Sequence, residues 1–420
     1  MGVTNLIKLI TKHAGKAAMK KYPLEKFSGM VVAVDASLMI YKTVLAVRAT
    51  GVDITNRKGE LTSHLQGILT KIVKLLEHNI TPIFVFDGKP PDIKKKTSEV
   101  RDAKRLKAKN NLTEMAPDSA DFIKNFKDEY KPTAEQTAEL QIMLDIIGIP
   151  YILAPGEADV VCAWLASRSD ENGQRYVKGV CSDDSDMLAF GAKYLFKDMS
   201  VFMKNTSQIT VVSLHKALNK MNITMDQFVD LCALLGCDNC DNIPKIGAIT
   251  AYKNICDHES LEKIIDLYKK KKFDHHKGFD FKQLIIARDY FKTAVTDIDS
   301  DIVKGKLKIT GHNLKLRQIQ FDTFMDFMCV KHNFDVLKIE TIGEKLRELN
   351  TKMNVTRLNT ECYHTLLQKI SENYDILSSD SDTDSDSDSD TPVAKPATKS
   401  MIKSTNKSMI KSKSQLSKKT

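Results

Sequence analysis

The chain has 420 residues, of which 42% are hydrophobic and 28% charged, and its 63 Lys and Arg residues against 54 Asp and Glu give a formal net charge of +9. No apolar run approaches the roughly 20 residues that a membrane-spanning helix needs, which excludes a helical membrane protein. The opening residues lack the apolar stretch of a secretory signal, so we expect an intracellular protein. The positive charge is compatible with a polyanionic partner but does not by itself indicate one.

Eight cysteines are scattered through apolar sequence, which is typical of reduced intracellular thiols rather than of a disulfide framework. The closest pair is Cys237 and Cys240. A zinc site would need a second Cys or His pair at ligand spacing, and the sequence contains none. We therefore interpret the pair as structural.

Short β-branched runs alternate with helical patterns along the first half of the chain. Such runs are typical of buried parallel strands, and the segments between them place apolar side chains at helical spacing. The alternation predicts an α/β fold with a mostly parallel sheet. The predicted strands are 31–34, 83–86, 151–153 and 177–181, and the clearest predicted helices are 62–77 and 134–147.

The interval 91–131 interrupts this alternation, because it contains no strong strand pattern. Residues 94–109 hold eight Lys and Arg residues against Glu99 and Asp102. Such a run usually forms a solvated helical face. An insertion of this size that directly follows a strand end carrying Asp87 is also a candidate functional element.

Acidic residues follow each of the four predicted strands. Carboxyl ends of parallel strands meet at one edge of a sheet, and that edge is where sites form in open α/β sheets. A single Asp at a strand end is most often a helix cap or a turn residue, so only the joint occurrence of these acids indicates a functional site. The acids are Asp35, Asp87, Glu157, Asp159, Asp183, Asp184 and Asp186.

Crowded carboxylates repel each other unless cations neutralise them. Oxygen ligands without His or Cys favour magnesium or manganese over zinc. Two such ions about 3.5–4 Å apart can stabilise the attacking and leaving oxygens of a phosphoryl displacement. The pattern therefore indicates metal-assisted phosphodiester hydrolysis.

A further acid, Asp238, follows an apolar helical pattern that begins at Phe228 and ends at Gly236, a typical helix C-cap. The next segment, 242–251, resembles a helix–hairpin–helix turn. In such a turn, backbone N–H groups near Gly247 would meet a phosphate. An ordinary corner between two helices would have a similar sequence.

The last segment, 378–420, differs from the rest in composition. Six aspartates alternate with Ser or Thr between 380 and 390, and eight lysines without any acid follow from 395 onwards. Because no apolar core can form from this composition, we predict a disordered tail.

Residues 1–260 resemble the flap endonuclease branch of the XPG-type structure-specific 5′ nucleases. Many ordered motifs at compatible spacing carry the resemblance. The matching segments are 1–10, 34–41, 46–48, 62–65, 85–91, 148–151, 154–159 and 228–240.

The resemblance implies roles for individual residues. It places two magnesium ions, replaceable by manganese, on a set of seven acids that leaves out Asp183. Lys94 and Arg101 would engage the scissile phosphate, and Tyr41, Arg48, Lys245 and Gly247 would contact DNA, with a core position as the alternative for Tyr41. The seven acids are Asp35, Asp87, Glu157, Asp159, Asp184, Asp186 and Asp238.

Three features depart from the family pattern. Asp159 stands where the family has a second Glu, and Lys245 stands at the first Gly of the hairpin, where it adds a charge able to meet phosphate. Residues 330–420 lack a clear sliding-clamp docking motif, so clamp binding stays open. The resemblance is faint over 310–377.

The expected architecture is a PIN-like α/β nuclease core with a helical arch over 91–131 and a helix–hairpin–helix region near 226–256. The expected divisions are 1–131, 132–260, a helical part at 261–377 and the tail. The resemblance implies a monomer that cleaves 5′ flaps of branched DNA in replication and repair, with 5′→3′ exonuclease activity, in the nucleus if the source is a eukaryotic cell. An exonuclease, a junction-resolving relative and a non-catalytic DNA-junction binder are the alternatives.

Overall fold

A seven-stranded sheet organises the computed structural model, which describes residues 2–113, 115–116, 119–170, 173–199, 208–271, 278–309 and 314–358. The predicted tail and the remaining parts of 261–377 lie outside these residues. The strands are β1 (Met19–Pro23), β2 (Val31–Asp35), β3 (Thr81–Phe86), β4 (Tyr151–Leu153), β5 (Gly179–Cys181), β6 (Tyr194–Lys197) and β7 (Gln208–Ser213).

Helices cover both faces of the sheet and form most of the part of the C-terminal half that the structure describes. They are α1 (Leu6–His13), α2 (Gly15–Ala18), α3 (Ala36–Arg48), α4 (Ser63–Glu77), α5 (Lys95–Leu112), α6 (Ala120–Asp128), α7 (Ala134–Ile146), α8 (Ala158–Ser167), α9 (Asp186–Ala189), α10 (Leu214–Met221), α11 (Met225–Leu235), α12 (Ala248–His258), α13 (Leu261–Lys271), α14 (Lys282–Val303), α15 (Phe321–Met325) and α16 (Val336–Leu358). Single turns of other helix types span Leu24–Phe27, Asp92–Lys94 and Asp326–Lys331.

The strands lie in the order β1-β7-β6-β5-β2-β3-β4. All neighbours from β6 to β4 pair in parallel, and β7 pairs antiparallel with both β6 and β1. The prediction of an α/β fold with a mostly parallel sheet is confirmed. The predicted strands correspond to β2, β3, β4 and β5, with β3 starting at Thr81 and β5 at Gly179.

Three strands at one side of the sheet were not predicted. β1 is a partly exposed edge strand that reads Met-Lys-Lys-Tyr-Pro, so it lacks an apolar face. β6 and β7 pair antiparallel and contain buried apolar residues, but apolar runs of four and six residues are hard to distinguish from buried helix segments by periodicity alone.

The central strands of the sheet are buried on both faces. Every residue of β3 is buried, with α8 packed against β2, β3 and β5 and with α3 and α4 packed against β3. This burial explains the continuous apolar runs that identified the strands, because parallel strands covered on both sides need not alternate with polar residues.

The described part of the interval 91–131 is helical, as predicted, and consists of a short turn, α5 and α6. Of the α5 side chains, only Ala108 is buried. The predicted helix before Asp238 is α11, and Gly236 ends it with a φ of 80° that a side chain would strain.

In the described residues, no helix is both long enough and apolar enough to cross a membrane. The seven cysteines there are all free thiols, and the Sγ atoms of Cys237 and Cys240 lie 3.7 Å apart.

Candidate active site

A cleft of about 580 Å³ opens at the carboxyl ends of β2, β3, β4 and β5. Six of the seven acids predicted to bind metal line it, and Asp186 is the exception. Lys94 and Arg101 line the same cleft. The acids that do so are Asp35, Asp87, Glu157, Asp159, Asp184 and Asp238.

Two of these acids also accept hydrogen bonds from backbone N–H groups near the starts of α3 and α8. Asp35 is the last residue of β2 and accepts a hydrogen bond from the Leu38 backbone N–H at 2.9 Å, which caps α3. Asp87 directly follows β3 and accepts from the Ala158 N–H at 2.9 Å. The helix-cap interpretation of Asp35 is therefore correct, and it coexists with a position in the cleft.

Close packing of two loops brings Asp87 beside the start of α8. The Gly88 N–H donates to the Gly156 carbonyl at 2.6 Å. A Cβ at Gly88 would overlap the Ala154 carbonyl oxygen, so only glycine fits there. Glu157 is the N-cap residue of α8 and Asp159 lies in its first turn.

The turn after β5 carries two further acids. The Asp186 N–H donates to Asp184 Oδ1 at 3.0 Å. Asp186 is 1% exposed and lies behind the cleft, where its Oδ1 has no hydrogen-bond partner. Gly2 packs on this turn with a φ of +81°, and a Cβ there would overlap Asp184 Oδ1.

Burial and mutual repulsion make ionisation of these acids costly. Burial, with the neighbouring Asp87 and Asp184 charges, raises the pKa of Asp35 to about 8. Burial also raises the pKa of Asp159, Asp184 and Asp186, and Asp184 adds to the increase for the other two. A cation in the cleft would reverse these shifts, because it favours the charged carboxylates.

The donor set fits a hard divalent cation. Only carboxylates supply it, and one buried oxygen, Asp186 Oδ1, is unpaired. Among the described residues, no three His, Cys, Asp or Glu side chains are already close enough together to hold one ion. The carboxylates share a cleft, and the ion pairs described next fix the positions of two of them.

Two cations from the arch pair with these acids. Lys94 Nζ forms an ion pair with Glu157 Oε1, and Arg101 Nη2 lies 2.7 Å from both oxygens of Asp238. Burial alone would lower the pKa of Lys94, but Asp159 and Glu157 raise it overall. Lys94 is mostly enclosed, whereas Arg101 pairs with Asp238 while its side chain stays 45% exposed, like most of α5.

Tyr41 lines the cleft from α3 and is half-buried. Its ring stacks on that of Tyr130, with centroids 6.2 Å apart and planes at 18°. A core position, the alternative considered for Tyr41, does not describe a side chain at the cleft wall. Contact with DNA stays a prediction.

Arg48 has a different environment from the one predicted. Its side chain is 8% exposed and pairs with Asp53 at 3.0 Å and Glu129 at 2.8 Å. The guanidinium also donates to the Phe126 carbonyl and lies 4.2 Å from the centre of the Phe126 ring. These contacts occupy the guanidinium of a buried side chain. We therefore correct the prediction that Arg48 contacts DNA: its role is structural, and it connects α3 to the arch.

The hairpin residues are exposed and do not line the cleft. Lys245 adopts a left-handed conformation with a φ of 62°, the conformation that glycine favours at this position of the family pattern. Gly247 is the N-cap residue of α12 and has a φ of −84°. Their contact with DNA phosphates stays a prediction.

Sequence reasoning missed Tyr290. This tyrosine lies on α14, and its hydroxyl donates to Glu157 Oε2 at 2.6 Å. No motif marks it, because the contact joins residues that are 133 positions apart.

Comparison with known proteins agrees with this architecture. Residues 1–108 match the XPG N-terminal domain and residues 148–238 match the XPG I-region. Flap endonuclease 1-A of Sorghum bicolor is 34% identical over 363 residues, which cover 86% of this chain and 90% of that protein. Flap endonuclease 1 of Scheffersomyces stipitis is 33% identical over 351 residues, covering 83% and 88%.

Solved structures show the same fold. A flap endonuclease-1 from Methanococcus jannaschii is 25% identical, with a TM-score of 0.55 over 80% of this chain and 96% of the other. The catalytic core of Rad2 in complex with a DNA substrate has a TM-score of 0.56 and 24% identity, over 82% of this chain and 100% of the other. Together with the extent of the curated matches, these findings show that the chain belongs to the flap endonuclease family of XPG-type nucleases.

Proposed function

We propose that this chain is a structure-specific DNA endonuclease of replication and repair, which hydrolyses the phosphodiester bond at the base of a 5′ flap with the help of two magnesium ions. The observation that carries the proposal is one cleft lined both by six carboxylates and by the arch cations Lys94 and Arg101, which pair with two of them. A site of this composition suits a reaction in which a dianionic transition state needs positive charge.

The carboxylates are the residues that would hold the ions. Asp35, Asp87, Glu157, Asp159 and Asp184 line the cleft around the ends of the parallel strands, with Asp186 behind them and Asp238 at the end of α11. When bound, the divalent ions supply positive charge and lower the pKa of the attacking water. Manganese has the same preference for oxygen ligands and would substitute.

The protein's own cations act on the scissile phosphate. Lys94 and Arg101 reach the acids from the arch, so a phosphate held at the acids would lie within their reach. Addition of water breaks the bond between phosphorus and the 3′ oxygen and leaves a 5′ phosphate and a 3′ hydroxyl. Tyr41 offers an aromatic face at the cleft wall on which an unpaired base can stack.

The proposal includes action as a monomer. The same machinery would remove nucleotides from a 5′ end, because a recessed or nicked end presents the same phosphodiester bond next to duplex. We therefore include 5′→3′ exonuclease activity.

The proposal is tested with end-labelled 5′-flap, 3′-flap, duplex and single-stranded DNA, each incubated with the full chain in magnesium or in EDTA. We expect cleavage of the 5′ flap at the junction in magnesium, trimming of the duplex from its 5′ end, and no product in EDTA. Tight junction binding without cleavage in either magnesium or manganese would instead support the non-catalytic binder. Equal cutting of all four substrates would contradict structure specificity.

A further inference from the structure

Glu157 is the one acid of the cleft whose two carboxylate oxygens contact two different parts of the fold. Lys94, at the base of the arch, pairs with Oε1, and Tyr290, on α14, donates a hydrogen bond to Oε2 at 2.6 Å. Although Glu157 is the N-cap residue of α8, its side chain makes no cap hydrogen bond. Its own helix therefore does not fix the carboxylate, and these two contacts do.

Tyr290 is held rigidly where it meets Glu157. Its ring packs edge-to-face on Phe190, with centroids 5.8 Å apart and planes at 81°, and Phe190 also contacts Phe291. A hydroxyl on a ring with fixed neighbours loses little conformational freedom when it forms a hydrogen bond, so the contact is preorganised.

The same helix is fastened to α8 at a second point. Asp299 accepts from the indole N–H of Trp164 at 2.6 Å and from Arg168 at 2.9 Å. Because α8 starts at Glu157 and α14 carries Tyr290, these contacts hold the two helices in a defined register. The distance between the phenol and the carboxylate is thus set by the packing of α14 on α8.

The two contacts on Glu157 differ in how much of the carboxylate they leave free to bind a divalent ion. Lys94 brings a positive charge that a divalent ion would compete with at Oε1. The tyrosine hydroxyl is neutral, occupies one lone pair of Oε2, and leaves the negative charge of the carboxylate in place. Hydrogen bonds of this kind orient metal ligands, and their loss typically weakens metal affinity by about 10–100-fold.

We propose that Tyr290 is a positioning residue that orients the Glu157 carboxylate for the divalent ion and thereby sets the ion's affinity. The inference rests on the proposed metal-dependent function of the cleft. It extends the site into α14, which lies beyond both matched family segments.

The test compares Tyr290→Phe with wild type, because this change removes one oxygen and keeps the ring packing on Phe190. Calorimetric titration of the DNA-free full chain with magnesium is the first readout. We expect about tenfold weaker binding in the variant. The second readout is cleavage of a 5′ flap across a magnesium series, where the half-saturating concentration should rise by a similar factor and the rate at saturating magnesium should recover.

Tyr151→Phe is the matched control. The Tyr151 hydroxyl also donates a hydrogen bond to a carboxylate, Asp145 Oδ2 at 2.8 Å, and neither residue lines the cleft. Loss of that bond should leave the magnesium dependence unchanged. If both variants shifted it equally, the effect would be a general loss of stability and the proposal would be overturned.

A double-mutant cycle with Glu157→Gln connects the effect to the carboxylate. In the Glu157→Gln background, Tyr290→Phe should change magnesium binding less than twofold, because the ligand that it orients is already altered. An undiminished effect there would show that Tyr290 does not act through Glu157. If Tyr290→Phe had the same magnesium dependence as wild type, this inference alone would be wrong. If the wild-type protein neither bound magnesium nor cleaved the flap, the proposed function would be wrong.

Discussion

The ammonium group of Lys71 shows how the burial of a single side chain can make the free energy of unfolding depend on pH. Lys71 is 3% exposed and donates to the Thr43 hydroxyl at 2.6 Å, between α4 and α3. Burial lowers its pKa from 10.5 to about 8. Both folded and unfolded chains hold this proton below pH 8, so the cost of the buried charge is fully present at neutral pH and is relieved as the pH rises from 8 towards 10.5.

We expect Lys71→Met to increase the free energy of unfolding at pH 7 by up to roughly 3 kcal/mol, since each pKa unit corresponds to about 1.4 kcal/mol. The gain should shrink as the pH approaches 10, because the wild-type lysine is then neutral in the folded state. Urea unfolding of both chains at pH 7 and pH 9.5 measures the difference. A variant that is less stable than wild type at pH 7 would show that the ammonium makes a net favourable contribution.

The links between elements depend on a few polar contacts, of which the Arg48 cluster is the clearest. Arg48 ends α3, and its partners Asp53 and Glu129 lie after α3 and after α6. The cluster therefore fastens the C-terminal end of the arch to the core. The guanidinium is 8% exposed and its two acids are 18% and 22% exposed, so the charges are only partly screened by water.

Removing this guanidinium should destabilise the protein and change DNA binding much less. For Arg48→Ala we expect a loss of about 2–4 kcal/mol in the free energy of unfolding, because two acids lose their partner. The control is Arg57→Ala, whose ion pair with Asp335 is exposed and should contribute less than about 1 kcal/mol. Chemical unfolding and flap binding are measured for both. If Arg48→Ala were as stable as wild type but bound the flap more weakly, the result would support the original prediction that Arg48 contacts DNA.

Two cations of the arch, Lys94 and Arg101, pair with acids of the predicted metal site, whereas Lys104, Arg105 and Lys131 line the cleft without pairing with those acids. Lys94→Ala and Arg101→Ala should each lower the single-turnover cleavage rate by about 100-fold or more, while flap affinity changes only a few-fold, because their charge acts where charge develops in the reaction. Lys107→Ala is the matched control, since Lys107 lies on the same helix and is exposed. An equal loss of affinity with unchanged chemistry would favour the solvated-face interpretation for these positions too.

The parts of this fold that sequence could predict are those with a local pattern. The four buried parallel strands, the helices 62–77 and 134–147 and the basic arch each have one, and the acids follow the strands directly. The strand β1 was missed because it is half-exposed and pairs with β7, which lies nearly 200 residues away in sequence. The neighbouring strands β6 and β7 pair with each other and are mostly buried, but their short apolar runs were not recognised as strands.

The residues of the site also divide into those that the sequence could predict and those that only the packing reveals. The acids after the strands and the family resemblance together predicted seven acids, Lys94 and Arg101 at one site, and all of these residues except Asp186 line one cleft. Motif spacing could not reveal that Arg48 is enclosed by Asp53 and Glu129, or that Tyr290 reaches Glu157, because both facts depend on how distant helices pack. Hydrogen bonds between such helices leave no trace in a local pattern.

Across the whole molecule, the cleft depends on segments that are far apart in sequence. β2 and β3 lie in the matched N-terminal segment, β4 and β5 in the matched I-region, and the arch lies mainly between them. Parallel pairing of β2 with both β3 and β5 brings their carboxyl ends together. The active site is therefore a property of the complete sheet, and neither matched segment carries it alone.

The most direct test of this account is cleavage of a 5′-labelled flap by the wild-type chain, Asp87→Ala and Asp184→Ala in magnesium, with flap binding measured in parallel. We predict a junction-specific product from wild type. Each variant should lose at least about 1,000-fold in single-turnover rate and should bind the flap as tightly as wild type or more tightly, because a carboxylate that repels phosphate is gone. Cleavage by either variant at a rate near that of wild type would contradict the assignment of the carboxylate cleft as the catalytic centre.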